Sequence, residues 1–281
     1  MSAEAATGEL PRLSDGEFGL FQRMIQREAG IHLADIKKPL LVSRLSRRLR
    51  ELGLTSFGAY YRRIEADADE RACMLDRVTT NKTQFFREPA QFEFIEKTVL
   101  PEWAGSAVPR RRVRAWSAGC STGEEAYTLG AVLLAHLPAN AGRTLEILGT
   151  DISTRVLQQA RLGTWPLERS AEIPSHYLRS FFLKGYGSQD GSMKAGPDLR
   201  RLVRFERGNL VDERDWPSGT FDLIFCRNVL IYFTPATKAR VIEALLGRLA
   251  PGGYLFLGHA ESLNVQAHRV RSVGPTVYRR P

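Results

Sequence analysis

Residues 117–130 read SAGCSTGEEAYTLG. A strand-like stretch, VRAWSAG (113–119), runs into them, and a helix-like stretch, GEEAYTLGAVLLAHL (123–137), runs out. A glycine turn between strand and helix is how a nucleotide-binding α/β domain opens. Yet the turn carries neither a GxGxxG dinucleotide signature nor the GK[ST] ending of a phosphate loop. It offers two carboxylates, Glu124 and Glu125, where a pyrophosphate would sit. Acids at a helix start are dipole-stabilised, so capping alone explains them. Taken alone, capping is the better reading; a cationic ligand without phosphate overtakes it only together with Asp151 and Asn209.

Working outward, strand and helix alternate to the end of the chain. TLEILGTD (144–151) reads as a second strand, followed by the helix STRVLQQARLG (153–163). LVRFERGNL (202–210) and FDLIFCRN (221–228) read as strands three and four. A helix, TPATKARVIEALLGRLA (234–250), then leads to strand five, GGYLFLGHAES (252–262), and to the terminal strand TVYRR (276–280). Such alternation predicts a mostly parallel sheet with helices on both faces. The forty or so residues between the second helix and third strand exceed an ordinary connection and predict an insert.

Ligands of such sheets bind beyond the carboxyl ends of the strands. The residues there are Glu124 and Glu125, then Asp151, Asn209 and Leu210, then Arg227, Asn228 and Tyr232, then His259 and Glu261. Asp151 stands where an acid accepts bonds from ribose hydroxyls. S-adenosyl-L-methionine matches this list. It brings an ammonium and a sulfonium for the carboxylates, a ribose for Asp151, an adenine for the Asn209 region, and no phosphate.

The first eighty residues lack strand-like alternation. SDGEFGLFQRMIQREAG (14–30) is a helix with Ser14 or Asp15 as its cap, Glu17 behind it and a stop at Gly30. IKKPLLVSRLSRRLRELG (36–53) opens at Pro39 and closes at Gly53. Leu41, Leu45, Leu49 and Leu52 share one face, and Arg44, Arg47, Arg48 and Arg50 lie opposite. SFGAYYRRIEA and DERACMLDRVTT continue the helical pattern. Between residues 31 and 63 there are eight Lys or Arg and two acids, so this face is either solvated or a dock for an acidic partner. TTNKTQFFREP (79–89) then reads as a polar connector that packs, with Asn81, Thr83 and Arg87 woven around Phe85 and Phe86.

The chain has 281 residues, 43% hydrophobic and 25% charged, enough for a sizeable core, with a formal charge of +9 that favours acidic partners. MSAEAATGEL at the start has no basic or apolar signal region. The apolar run LGAVLLA is too short to span a bilayer. The single cysteines Cys73, Cys120 and Cys226 form no CxxC, and His259 and His268 lack metal-ligand spacing. These features predict a cytoplasmic protein with no metal and no membrane insertion.

In order and spacing, TTNKTQFFRE, WSAGCSTGEEAYTL, GTDIS, RGNL, FDLIFCRNVLIYF, GHAES and TVY resemble the CheR family of chemotaxis receptor methyltransferases. The resemblance implies a Rossmann-like S-adenosylmethionine-dependent methyltransferase domain (93–281) with a small antiparallel β-subdomain insert at about 163–203. A small all-α domain (11–80) and a linker (81–92) would precede it. It implies methyl transfer to glutamate carboxylates of chemoreceptors, with S-adenosyl-L-homocysteine as product. Position by position, Asn81, Thr83 and Arg87 line the cofactor site, Glu125 with its neighbour Glu124 takes the ammonium, and Asp151 takes the ribose. Asn209 and Leu210 flank the adenine, while Arg227, Asn228 and Tyr232 border the transfer point. Arg87 and Arg227 are expected as two cations at the rim, and Arg87 and Tyr232 as catalytic residues. The helix bearing Arg44, Arg47 and Arg48 would dock the receptor's helical cytoplasmic domain, and the insert would grip a receptor tail peptide in some members.

Three rival functions share part of this pattern. A nucleic-acid methyltransferase would carry an N/D-P-P-Y/F turn where this chain reads RNVLIYF, and stacking cues for nucleic acid are weak. A non-catalytic S-adenosylmethionine-binding module would keep the same cofactor residues. A nicotinamide oxidoreductase would need the missing GxGxxG.

Overall fold

The computed structural model describes residues 11–105, 112–137, 144–263 and 269–281. The chain divides into two compact units between Thr80 and Asn81.

The first unit is helical. Helix α1 (Asp15–Ala29) begins with a reciprocal capping box: Ser14 Oγ accepts from the Glu17 amide, and the Glu17 carboxylate accepts from the Ser14 amide. Gly30, at φ +71°, ends it in the left-handed conformation that glycine adopts without penalty. Helix α2 (Lys38–Glu51) carries Pro39 in its first turn and buries Leu41, Leu45 and Leu49, whereas Leu52 is only half-buried. Helices α3 (Phe57–Ala66) and α4 (Ala68–Val78) complete the unit, capped by Ser56 and Asp67. Phe21 packs edge-on against Phe57 and Tyr61 and stacks on Tyr60.

The arginine face of α2 differs from the expectation. Arg48 is turned inward, with Nη2 2.5 Å and Nε 2.9 Å from the buried Glu70 carboxylate, which also accepts from the Tyr60 hydroxyl at 2.9 Å. Arg44 donates to the Val78 and Thr79 carbonyls and caps the end of α4. Arg47 and Arg50 remain exposed. Helical spacing places a residue on an arc; it does not say whether a guanidinium finds a buried carboxylate there.

The second unit is a seven-stranded sheet in the order β6-β2-β1-β7-β8-β10-β9. Strands β1 (Arg112–Ala118), β2 (Thr144–Asp151), β6 (Val203–Arg207), β7 (Phe221–Cys226) and β8 (Leu249–Leu257) run parallel. Strand β10 (Val277–Arg279) lies antiparallel between β8 and β9 (Arg271–Gly274). β9 had no separate signal in the sequence. α5 (Pro89–Phe94), a π-helical turn (Ile95–Val99) and α6 (Leu100–Ala104) contribute to the same core face as α7 (Glu124–His136) and α8 (Thr154–Leu162). α11 (Pro235–Arg248) supplies the other face. β7 is buried along its whole length, as a strand covered on both faces must be.

The insert contains a three-stranded antiparallel sheet in the order β3-β5-β4: β3 (Thr164–Pro166), β4 (Phe182–Lys184) and β5 (Ser192–Ala195). The glycine-rich GYGSQDGS segment joins β4 to β5 as a hairpin. Helices α9 (Ser175–Phe181) and α10 (Pro197–Leu202), absent from the expectation, flank it. Within the sheet, β1 has β2 on one side and β7 on the other, so the chain reverses direction here and leaves a crevice beyond the strand ends.

Replacing Arg48 by Met leaves Glu70 buried without its cation and should cost about 3 kcal/mol in urea unfolding of the full chain, whereas Arg47→Met should stay within about 0.5 kcal/mol. Burial alone would raise the Glu70 pKa, but the bonds from Arg48 and Tyr60 outweigh it and hold it below the ordinary value. A depressed acid stabilises above its unfolded pKa, and that contribution is lost as pH falls through the folded value. The gap between wild type and Arg48→Met should therefore narrow below about pH 4.

Candidate active site

The loop after β1 is held by backbone geometry that few residues tolerate. Gly119 sits at φ +83°, and a Cβ there would lie 2.5 Å from Val229 Cγ2. The amides of Gly119 and Cys120 both donate to the Thr150 carbonyl, at 2.8 and 2.9 Å. Ser121, at φ +50°, donates its amide to Asp151 Oδ2 at 2.9 Å and its hydroxyl to the Asn81 carbonyl at 3.0 Å. Asp151 Oδ1 accepts from the Ser153 amide at 3.0 Å. The carboxylate at the end of β2 thus ties the first loop to the second.

Glu124 and Glu125 are both buried at the start of α7 and have different partners. Glu125 accepts from Ser117 Oγ at 2.6 Å and from Arg227 Nε at 2.7 Å. Glu124 accepts from Thr122 Oγ1 at 2.7 Å and faces Arg169 Nη2 at 3.2 Å. Burial raises the Glu124 pKa, and the bond from Thr122 and the charge of Arg169 oppose that only in part. An ionised carboxylate has about four lone-pair sites, so both retain capacity for a further donor.

Arg227 corrects an expectation. Its side chain is 2% exposed, so it is a buried hub and not a rim cation. Besides Glu125, its Nη1 donates to the Arg87 carbonyl at 2.7 Å and to Gln91 Oε1 at 3.0 Å. The guanidinium lies over the rings of Phe92 and Phe225, at 5.3 and 5.4 Å. Arg87 is half-buried, with Nη1 donating to the Lys82 carbonyl at 3.1 Å.

The connector is pinned at each turn. Thr83 gives its carbonyl to Arg169 Nη2 at 3.1 Å, the Phe85 amide donates to Glu172 Oε2 at 2.8 Å, and the Phe86 amide reaches Thr128 Oγ1 at 3.3 Å. Arg169 and Glu172 belong to the 3₁₀ turn Leu167–Glu172 of the insert. Glu88, at φ +59° before Pro89, faces Arg227 Nη1 at 3.6 Å and accepts from the His259 amide at 3.2 Å.

Beyond β7, Asn228 adopts φ +59°, and its amide donates to Glu261 Oε2 at 2.7 Å. Its Oδ1 is a buried acceptor with no hydrogen-bond partner among the described residues. Tyr232 is half-buried in the 3₁₀ turn Leu230–Tyr232. Gly208 donates to the Asp151 carbonyl at 3.0 Å, which brings Asn209 beside β2. Asn209 Oδ1 accepts from the Val211 amide at 3.2 Å, while Leu210 packs toward the α11 side of the core. Of the five non-glycine residues with positive φ among the described residues, Phe86, Glu88, Ser121 and Asn228 lie here, and only Thr276 lies elsewhere. Strain of this kind gathers where a fold over-determines a site.

Hydrogen bonds and ion pairs bring Asn81 to Asp151 through Ser121, Thr83 to Glu124 through Arg169, and Arg87 to Glu125 through Arg227; Asn228 Nδ2 reaches Glu88, which faces Arg227, and Gly208 attaches Asn209 to Asp151. No described side-chain contact links Leu210 or Tyr232 to these residues, although the Ile231 amide in Tyr232's turn shares Glu261 with Asn228. The acids, the carbonyls and the orphaned Asn228 Oδ1 form an acceptor-rich surface, which fits a cationic ligand with hydroxyl and ammonium donors better than a phosphate. Sequence reading assigned no role to Glu88, Gln91, Ser117, Ser121, Arg169, Glu172 or Glu261. One signal was available: a residue before proline is restricted, so Glu88 in FREP marks a special backbone site. Burial raises the Cys120 and Cys226 thiol pKa values, which leaves both unreactive. No group of three His, Cys, Asp or Glu among the described residues could hold a metal, and His268 lies outside those residues.

The family model for the CheR methyltransferase SAM-binding domain matches residues 81–279, and that for the CheR methyltransferase all-alpha domain matches 16–79. The chain is similar to chemotaxis protein methyltransferase 2 of Pseudomonas aeruginosa, 40% identical over 264 residues that cover 93% of this chain and 92% of that one. It is similar to the chemotaxis protein methyltransferase of Escherichia coli, 37% identical over 271 residues that cover 95% and 91%. A probable chemotaxis protein methyltransferase of Rhizobium etli is 38% identical over 262 residues, covering 91% and 96%.

Removing the buried cation strands Glu125, so Arg227→Met should cost about 3 kcal/mol or more in chemical denaturation. Arg227→Lys keeps the charge but loses the fork that reaches both Glu125 and the Arg87 carbonyl, so it should recover only part of that loss.

Proposed function

The chain belongs to the CheR methyltransferase family, and from that premise we propose that it esterifies glutamate side chains of chemoreceptors with the methyl group of S-adenosyl-L-methionine. The observation that carries this reading is the acidic, phosphate-free turn at Glu124 and Glu125, bonded through Ser121 to Asp151. When bound, the cofactor supplies an electrophilic methyl group on a sulfonium.

The chain's own residues bind and orient. Asp151 accepts from the ribose hydroxyls while it holds the Ser121 and Ser153 amides. Asn209 and Leu210 flank the adenine. Glu125 balances the ammonium, with Glu124 as its neighbour, and Arg227 sets the Glu125 carboxylate in place instead of gripping the substrate. Asn81, Thr83 and Arg87 close the site from the linker, and Arg87 is the half-buried guanidinium available to orient a carboxylate. Tyr232 orients or shields the acceptor.

The acceptor glutamate has an ordinary pKa of about 4.3 and is ionised at neutral pH, so no general base is required. Rate enhancement comes from alignment of oxygen, methyl carbon and sulfur at about 3 Å. On α2 the exposed charges available to a glutamate-rich receptor helix are those of Arg50 and of Arg47, whose solvent-facing pair with Glu51 can be exchanged, since Arg44 and Arg48 are committed within the helical unit. Leu183 and Tyr186, 55% and 78% exposed at the edge strand β4 and its loop, support contact with a receptor tail peptide. No helix among the described residues is long and apolar enough to cross a membrane.

Methyl transfer from radiolabelled cofactor to receptor cytoplasmic domains tests the reading. The product should be a base-labile ester, whereas label on nucleic acid, or a base-stable product, would sink it. Asp151→Ala should weaken cofactor binding at least about tenfold in calorimetry, as loss of hydrogen bonds to a charged group implies. Tyr232→Phe should lower turnover more than cofactor affinity. The Arg47→Glu, Arg50→Glu double variant should slow receptor methylation most at low salt and leave cofactor affinity unchanged.

A further inference from the structure

Glu261 stands four residues beyond the end of β8 and is 0% exposed. Its carboxylate accepts three backbone amides. Asn228 and Gly258 donate to Oε2 at 2.7 and 2.9 Å, and Ile231 donates to Oε1 at 3.1 Å. These amides lie at the ends of β7 and β8, past the reach of the sheet ladder. Without the carboxylate the Gly258 amide would be a buried donor in need of a partner, and the Asn228 and Ile231 amides would be part-buried ones. The Glu261 amide closes its own turn onto the Gly258 carbonyl at 2.8 Å. A Cβ on Gly258 would fall 2.7 Å from Asn228 Nδ2 and 2.8 Å from Glu261 Oε2, so nothing larger than glycine fits between them.

We propose that Glu261 is a positioning residue for methyl transfer, acting through the loop Arg227–Tyr232. The inference rests on the reading above, in which that loop borders the transfer point. Asn228 is held at positive φ, a conformation non-glycine residues rarely adopt, and the Glu261 bond to its amide keeps it there. That backbone aims the buried acceptor Asn228 Oδ1 and sets the helical turn carrying Tyr232, with Ile231 51% exposed beside it. A charge-assisted acceptor for three amides is a stiffer support than a neutral side chain provides. Glu261 touches no reacting atom; it fixes the residues that border them.

The test compares the full-length wild type with Glu261→Gln and Glu261→Asp. In Gln the carbonyl oxygen can serve one side only and the NH₂ faces an amide donor; Asp keeps the charge but is one methylene too short to span the three amides. In the wild type, the Asn228, Ile231 and Gly258 amides should be strongly protected in hydrogen exchange, although they lie outside the sheet ladder. In both variants those amides should exchange faster, and turnover measured below each melting temperature should fall about tenfold to hundredfold, the scale of an ångström-level misplacement. Affinity for S-adenosyl-L-homocysteine, to which Asn228 Oδ1 contributes one acceptor, should fall less than turnover does. Rapid exchange of the three amides in the wild type would overturn the inference, whether or not a variant folds. So would wild-type turnover in a variant whose loop has lost protection, or a loss of product affinity as large as the loss of turnover. A wild type that methylates no receptor domain refutes the proposed function, and the exchange data then decide the placement of Glu261 separately.

Discussion

The site depends on one buried ion pair. Arg227 and Glu125 are 102 positions apart in sequence and meet at 2.7 Å at the crevice between β1 and β7. Two charges buried this deeply are tolerable only when their remaining hydrogen-bonding groups are satisfied. Ser117 completes Glu125; the Arg87 carbonyl, Gln91 and two aromatic faces complete Arg227. The pair thereby draws the connector onto the sheet edge, because part of the arginine's coordination comes from connector backbone. A residue placed at the end of β7 to meet this need cannot also serve as a free cation for substrate.

The same constraint explains where backbone strain collects. The connector must pass close to three loops, and it does so through Phe86 and Glu88 at positive φ, opposite Ser121 and Asn228 in the same condition. Three of the four are held by a bond from their own amide: Phe86 to Thr128, Ser121 to Asp151 and Asn228 to Glu261. Rigidity of this type suits chemistry that needs alignment more than proton transfer.

Local signals were legible in the sequence. Ser14 and Glu17 lie three residues apart and bond each other, and Asp151, expected at a strand end, closes β2 and accepts amides from the loops on either side. Strand and helix alternation carried the sheet because each element there is long enough to show a period. Apart from β10, three residues read within TVYRR, the shorter elements were not legible: β9 has four residues, and α9 and α10 have seven and six, about two turns or fewer. The partners of Arg48, Arg169 and Arg227 were also hidden. Arginine is usually exposed, so a guanidinium reads as a surface charge until the fold brings a buried carboxylate to it. The basic face of α2 was over-read for that reason, and Glu261 was placed near the cleft without a task.

The clasp between insert and connector bears on how such proteins diversify. Arg169 and Glu172 bond to each other, to the Thr83 carbonyl, to the Phe85 amide and to Glu124. The insert is therefore not an independent cassette. Its 3₁₀ turn, Leu167–Glu172, shares the bonds of the candidate site, whereas the hairpin of β4 and β5 carries none of these bonds. Recombination between relatives that exchanges the hairpin must keep its pairing with β3, the Leu167 bond to the Gly191 carbonyl and the Phe182 contact with Phe85, and a crossover between residues 124 and 169 separates two halves of one lock.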